Sequence, residues 1–263
     1  MAYLSTNDHV RLYYEDNEVA SEHAVILMHG FGGNHAEFIN QVANLTESGY
    51  RVISYDHRNH GLSDRTFQGL RVSRLATDLN NLINELQLKS VDLIGHSMGA
   101  SVIWAYLSLF GAEKIQHIVT IDQSPKALNT DDWAFGLLDD TWANVAFTAR
   151  NVEHTKMTVK RLPDNAYQAI RAVQADHAFN YDQNEPLLLN HLVQDWRDVI
   201  HTYADVPQLF IAGGESPLWS YDYAKTCQYI ANDQAAVTVI PHTGHLPHVE
   251  DPDAVNAALA TFL

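Results

Sequence analysis

Short apolar runs alternate with amphipathic helical patterns along most of this chain, and that alternation limits its fold more than any other feature. Ala24-Val25-Ile26-Leu27-Met28 is a continuous apolar run of strand length, as a strand buried on both faces requires. Val10 to Tyr14, Arg51 to Tyr55, Val91 to Ile94, Ile115 to Ile121, Val206 to Ile211 and Ala236 to Ile240 read as further strands. Between them, Ala36 to Thr46 and Ala100 to Phe110 read as helices, and Leu75, Leu79, Leu82, Ile83 and Leu86 recur at helical spacing. Strand–helix–strand order demands crossover connections, so the expected sheet is mostly parallel with helices on both faces.

One segment breaks the rhythm. Residues 124–205 contain no convincing strand. Helical patterns at Thr141–Thr148, Asn165–Ala175 and Leu187–Tyr203 dominate, together with aromatic residues such as Trp133, Trp142, Phe179 and Trp196. The stretch far exceeds a single crossover, so it reads as a helical cap inserted into a core made of residues 1–123 and 206–263. The rival reading is ordinary helical packing on one face of the sheet.

Composition narrows the partners. Hydrophobic residues make up 46% of the 263 residues, enough for a sizeable core. The 32 acidic against 16 basic residues give a net charge of −16, which repels phosphate backbones and anionic lipid heads. Neither a nucleic-acid partner nor a membrane partner is expected. The N-terminus lacks a basic start followed by an apolar stretch, so a cytoplasmic location is expected. Cys227 is the one cysteine, which excludes an intrachain disulfide and a cysteine zinc site.

The chemistry-bearing motif is Gly95-His96-Ser97-Met98-Gly99, set between a strand and a helix. A serine there sits on a sharp turn with its hydroxyl raised above the sheet edge, and the helix behind it adds a positive dipole. The glycines let neighbouring backbone come into contact. Ser97 is the candidate nucleophile. A serine hydroxyl needs a base, and His245 in Thr243-Gly244-His245-Leu246 follows the last strand. Its neighbours His242 and His248 raise the rival reading of a metal cluster, as does a total of 15 histidines. The loop spacing speaks against that, so His242 and His248 are expected as loop or surface residues, and no metal or other cofactor is expected. His29, His60 and His96 are expected to support turns. The Gly30, Gly32, Gly33 cluster lacks the lysine and the spacing of a phosphate-binding loop.

These residues in this order resemble the α/β-hydrolase superfamily over nearly the whole chain. The resemblance is carried by His29-Gly30, Asp56-x-Arg58-x-His60-Gly61-x-Ser63, the serine pentapeptide and Gly244-His245. It implies an α/β-hydrolase fold with a mostly parallel eight-stranded sheet. It also implies an oxyanion hole from the backbone N–H groups of Phe31 and Met98. The usual acid position after the penultimate strand holds Ser216, in Gly213-Gly214-Glu215-Ser216-Pro217. Serine cannot carry the charge that holds an imidazolium.

A branch of small bacterial esterases and acyl-thioesterases places its acid after strand six. This chain is similar to that branch in Arg58-Asn59-His60-Gly61, Gly95 to Gly99, Ile121-Asp122-Gln123-Ser124-Pro125 and Gly213 to Pro217. The resemblance makes Asp122, 25 residues beyond Ser97, the preferred acid and gives Ser216 a supporting hydrogen bond near His245. Glu215 is the competing acid, and Asp222, on the following helix, the third. The expected activity is hydrolysis of carboxylic esters or thioesters with short to medium acyl chains, held in an apolar pocket, through an acyl-enzyme on Ser97. The expected oligomer is a monomer or a small homo-oligomer. Carbon–carbon hydrolases, perhydrolases and aminopeptidase-like enzymes keep the same triad, and some proteins of this fold act as ligand receptors. Trp219 reads either as pocket wall or as core.

Overall fold

The computed structural model describes residues 2–138 and 140–263. Eight strands form one sheet: β1 (Ala2–Ser5), β2 (Arg11–Asp16), β3 (His23–Met28), β4 (Val52–Tyr55), β5 (Ser90–His96), β6 (Ile115–Ile121), β7 (Gln208–Gly213) and β8 (Ala236–Ile240). Their order is β1-β2-β4-β3-β5-β6-β7-β8. The first two are antiparallel additions at one edge, and every pairing from β4 to β8 is parallel. This is the α/β-hydrolase fold expected above.

The central strands are largely apolar because each faces two cores. In β3, Ala24, Ile26 and Met28 enter one core while Val25 and Leu27 enter the other. The larger core lies under α2 (Val72–Glu85), α3 (Met98–Phe110) and α8 (Asp222–Ile230), with Leu75, Leu79, Leu82 and Ile83 supplied by α2. The smaller lies under α1 (Ile39–Glu47) and α10 (Pro252–Phe262), with Leu45, Val255 and Leu259. A 3₁₀ turn at His35–Phe38 leads into α1, capped by the Asn34 side chain on the Ala36 N–H.

Between β6 and β7 lie α4 (Val145–Asn151), α5 (Asp164–Asp176), α6 (Tyr181–Leu192) and α7 (Arg197–Thr202). The Leu187–Tyr203 pattern is two helices rather than one. Its break has a cause: Trp196 donates its N–H to the Pro125 carbonyl at 3.0 Å, and Asp195 pairs with Lys126 as a bridge. That backbone bonds across to the start of the segment instead of along a helix. Upstream, α6 begins earlier than Leu187 because the Asn180 side chain caps it at Gln183. Strand β1 is the one strand that the apolar pattern does not mark.

Candidate active site

Ser97 stands between β5 and α3 with φ 51° and ψ −122°, a left-handed conformation that ordinary side chains rarely adopt. The turn is this tight because β5 runs straight into the helix. A Cβ on Gly95 would meet the Gly99 carbonyl at 2.5 Å and the Ala100 nitrogen at 2.6 Å. A Cβ on Gly99 would strike the Met28 carbonyl of β3. The two glycines of the pentapeptide are thus required by packing.

The structure brings Ser97, His245 and Asp122 together. The Ser97 hydroxyl lies 2.9 Å from His245 Nε2, and His245 Nδ1 lies 2.7 Å from Asp122 Oδ2. A carboxylate accepts, so Nδ1 carries the hydrogen and Nε2 presents its lone pair to the hydroxyl. Burial holds the His245 pKa below the ordinary histidine value, although the Asp122 hydrogen bond pulls it upward. His245 is therefore a neutral acceptor at neutral pH.

Asp122 ends β6 at the same sheet edge as the serine and is fully buried. Its φ of 47° turns the carboxylate across to the neighbouring strand. The Gly213 N–H donates to Oδ1 at 2.8 Å, and the Ser216 hydroxyl donates to Oδ2 at 2.6 Å. Ser216 thus touches the acid rather than the histidine. Glu215 points elsewhere: its carboxylate meets His242 Nδ1 at 2.8 Å, and both side chains are largely exposed. Asp222 is exposed at the start of α8, beside the Ser220 hydroxyl at 3.2 Å. Neither approaches the His245 ring.

Met98 opens α3, so its N–H is among the first-turn donors that a helix leaves without an internal partner. The loop carrying Phe31 crosses close by. A Cβ on Gly30 would lie 2.9 Å from Ser97 Cβ and 3.0 Å from His96 Nδ1. His29 and His60 are buried and bond to backbone: His29 Nδ1 to the Gly30 carbonyl at 2.7 Å, His60 Nδ1 to the Arg58 carbonyl at 2.9 Å.

Above Ser97 lies a cavity of about 290 Å³. Its floor is Ser97, His245 and Phe31, and its roof includes Met157, Leu162, Ile170 and Leu188 from the inserted segment. Trp219 lines the cavity and also packs into the larger core, so both sequence readings of it hold.

Two site residues escaped the sequence reading. Glu250 accepts the N–H groups of Gly244 at 2.9 Å and of Val159 and Lys160 at 2.8 Å each. It pins the His245 loop to the inserted segment, and the His245 N–H adds a 2.7 Å bond to the Met157 carbonyl. Only the adjacency of Glu250 to the Gly244-His245 loop signalled it. The second is Glu37, which lines the cavity from the 3₁₀ turn and had no signal of its own. One expectation is corrected. His248 is neither a loop nor a surface histidine: it lies in α9 (Pro247–Glu250), fully buried, with its ring stacked 4.7 Å from that of Phe38. His242 is exposed.

A doubly covered parallel sheet with a strained serine at its carboxyl edge and a histidine–carboxylate pair beside it defines a class of hydrolases. The chain belongs to the α/β-hydrolase fold family, whose model matches residues 23–252. Esterase YbfF of Escherichia coli is 28% identical over 250 residues, covering 91% of this chain and 92% of that one. A bromoperoxidase structure from Bacillus anthracis aligns with a TM-score of 0.84 at 25% identity, covering 99% of this chain and 98% of the other. An esterase structure from Exiguobacterium antarcticum aligns with a TM-score of 0.85 at 21% identity, covering 99% and 98%. Among the described residues no helix is long and apolar enough to cross a membrane.

Proposed function

We propose that this protein is a serine hydrolase of small carboxylic esters or thioesters, acting through an acyl-enzyme on Ser97. The observation that carries the reading is the continuous relay of 2.9 Å and 2.7 Å from Ser97 through His245 to Asp122, beneath an apolar cavity. Ser97 attacks the acyl carbonyl while His245 takes its proton. Asp122 holds the imidazole in the required tautomer and stabilises the imidazolium that forms. The N–H groups of Phe31 and Met98 hold the oxyanion. His245 then protonates the leaving alcohol or thiol and activates water for deacylation.

In this reading residues 124–205 are the cap that closes the acyl site. A cavity of about 290 Å³ with aliphatic walls suits a short to medium acyl chain. The relationship to a bromoperoxidase supports a second use of the same acyl-enzyme, in which hydrogen peroxide replaces water and a peracid leaves. The test is turnover of p-nitrophenyl acyl esters from acetyl to octanoyl. The reading predicts hydrolysis with a preference for the shorter half of the series. No turnover by wild-type protein across the series contradicts it.

A further inference from the structure

Glu37, His96 and His248 form a buried group that the hydrolytic reading leaves unused. They come from the 3₁₀ turn, the end of β5 and α9, and one ligand atom of each lies within 4.8 Å of the other two. Glu37 Oε2, His96 Nδ1 and both ring nitrogens of His248 are buried with no hydrogen-bond partner among the described residues. So many orphaned polar atoms in one place is unusual for a folded interior.

One ring hydrogen of His96 is placed by its backbone partner. His96 Nε2 lies 2.8 Å from the His245 carbonyl, which can only accept, so Nε2 carries the hydrogen. A neutral His96 then turns the Nδ1 lone pair toward Glu37 Oε2, 3.4 Å away. His248 Nε2 lies 3.9 Å from the same oxygen. With the hydrogen of His248 on Nδ1, lone pairs of all three side chains face one point. A proton shared between His96 and Glu37 would draw them to about 2.8 Å and leave His248 unserved. Two ligands on one tetrahedral zinc ion stand roughly 3.3 Å apart, from bond lengths of about 2.0–2.1 Å. The 3.4 Å between Glu37 Oε2 and His96 Nδ1 matches that spacing and is too long for a charge-assisted hydrogen bond, while His248 Nε2, at 3.9 Å, stands a little outside it.

We propose that Glu37, His96 and His248 bind one late first-row divalent cation, zinc foremost. Two imidazoles and one carboxylate are the donor set of such ions, whereas magnesium and calcium demand more oxygens. The His96 Nε2–H bond to a carbonyl is the outer partner that metal-bound imidazoles require. Glu37 and His96 also line the cavity, so the group lies beside it. This is a claim about binding and stands apart from whether Ser97 turns over esters.

The test is calorimetric titration of the chelator-treated full chain with zinc, and visible absorption with cobalt(II). One equivalent should bind, and cobalt should give the intense bands of a low-coordinate site. Glu37→Gln and His248→Ala should each abolish that equivalent. A His242→Ala, Glu215→Ala double variant, which removes the exposed histidine–carboxylate pair, should leave it intact. If either single variant fails to fold, zinc-edge X-ray absorption of the wild type reads the ligands directly, and two imidazoles with a carboxylate are expected. Absence of saturable binding, binding that survives both single variants, or a different ligand set would overturn the proposal.

Discussion

Two buried carboxylates sit beside histidines within the same site, and they are built in opposite ways. Asp122 has both oxygens engaged: Gly213 N–H on Oδ1, and the Ser216 hydroxyl and His245 Nδ1 on Oδ2. Glu37 has an oxygen with no donor among the described residues, facing imidazole nitrogens in the same condition. A fully satisfied carboxylate holds its neighbour in one tautomer and one orientation. An unsatisfied one attracts positive charge. The first arrangement suits a proton relay that must be rigid, the second a site that is completed by something it binds.

Changing each partner separately breaks or sharpens this contrast. The largest effect is expected at Asp122. Asp122→Asn should reduce kcat for a p-nitrophenyl ester by about 10⁴-fold, because the amide no longer holds the imidazole in its working tautomer. Glu215→Gln, which alters the carboxylate bound to exposed His242, should stay within roughly twofold, as surface pairs are worth little. The reverse ranking, measured by steady-state kinetics, would move the acid to Glu215.

A third group, with no carboxylate on its ring nitrogens, provides the next contrast. His57 and His60 are fully buried, and their rings hydrogen-bond to backbone carbonyls. Burial first, then neighbouring His29, pushes the His60 pKa down to about 3, and burial also drives that of His57 well below the ordinary value. A folded pKa below the unfolded one means that the unfolded chain binds more protons. Stability is therefore full above about 6.5 and is lost progressively as pH falls from there toward 3. Urea midpoints measured between pH 8 and pH 4 should fall steadily below pH 6.5. A flat profile would contradict neutral, buried histidines.

Smaller effects separate the two carboxylates further. Ser216→Ala removes one donor from Asp122 while leaving His245 in place, so kcat should fall by roughly tenfold with KM little changed. Glu37→Gln should act with the opposite sign on stability. In metal-free protein the new amide can donate toward His96 Nδ1, and thermal unfolding should show a gain of about 1 kcal/mol. A loss of stability there would mean that Glu37 is already well partnered.

What the sequence disclosed follows the same division. Ser97 was legible because its pentapeptide sits between an apolar strand and a helix, and His245 because a Gly-His pair follows the last strand. Asp122 was legible from its place at the end of a parallel strand, on the serine's sheet edge, and was preferred through motifs such as Ile-Asp-x-x-Pro whose meaning depends on resemblance. The grouping of Glu37, His96 and His248 was not legible, since no local spacing links three elements so far apart in the chain. Nearness in sequence even misled: His242 and His248 flank His245, yet one is exposed and the other buried against Phe38. Strand β1 escaped notice because it is short and at the sheet edge, with Leu4 buried and Tyr3 half exposed. The break at residues 193–196 escaped because its cause is a distant backbone partner, the Pro125 carbonyl, rather than a helix-breaking residue.

The central claim is that Ser97 is a nucleophile activated by His245 and Asp122. The most direct measurement is intact-protein and peptide mass spectrometry after treatment with a fluorophosphonate. The account predicts one adduct per chain, located on Ser97, formed rapidly by wild type and far more slowly by Asp122→Asn. No adduct on Ser97 of folded wild-type protein, or equal labelling rates in the two proteins, would contradict it.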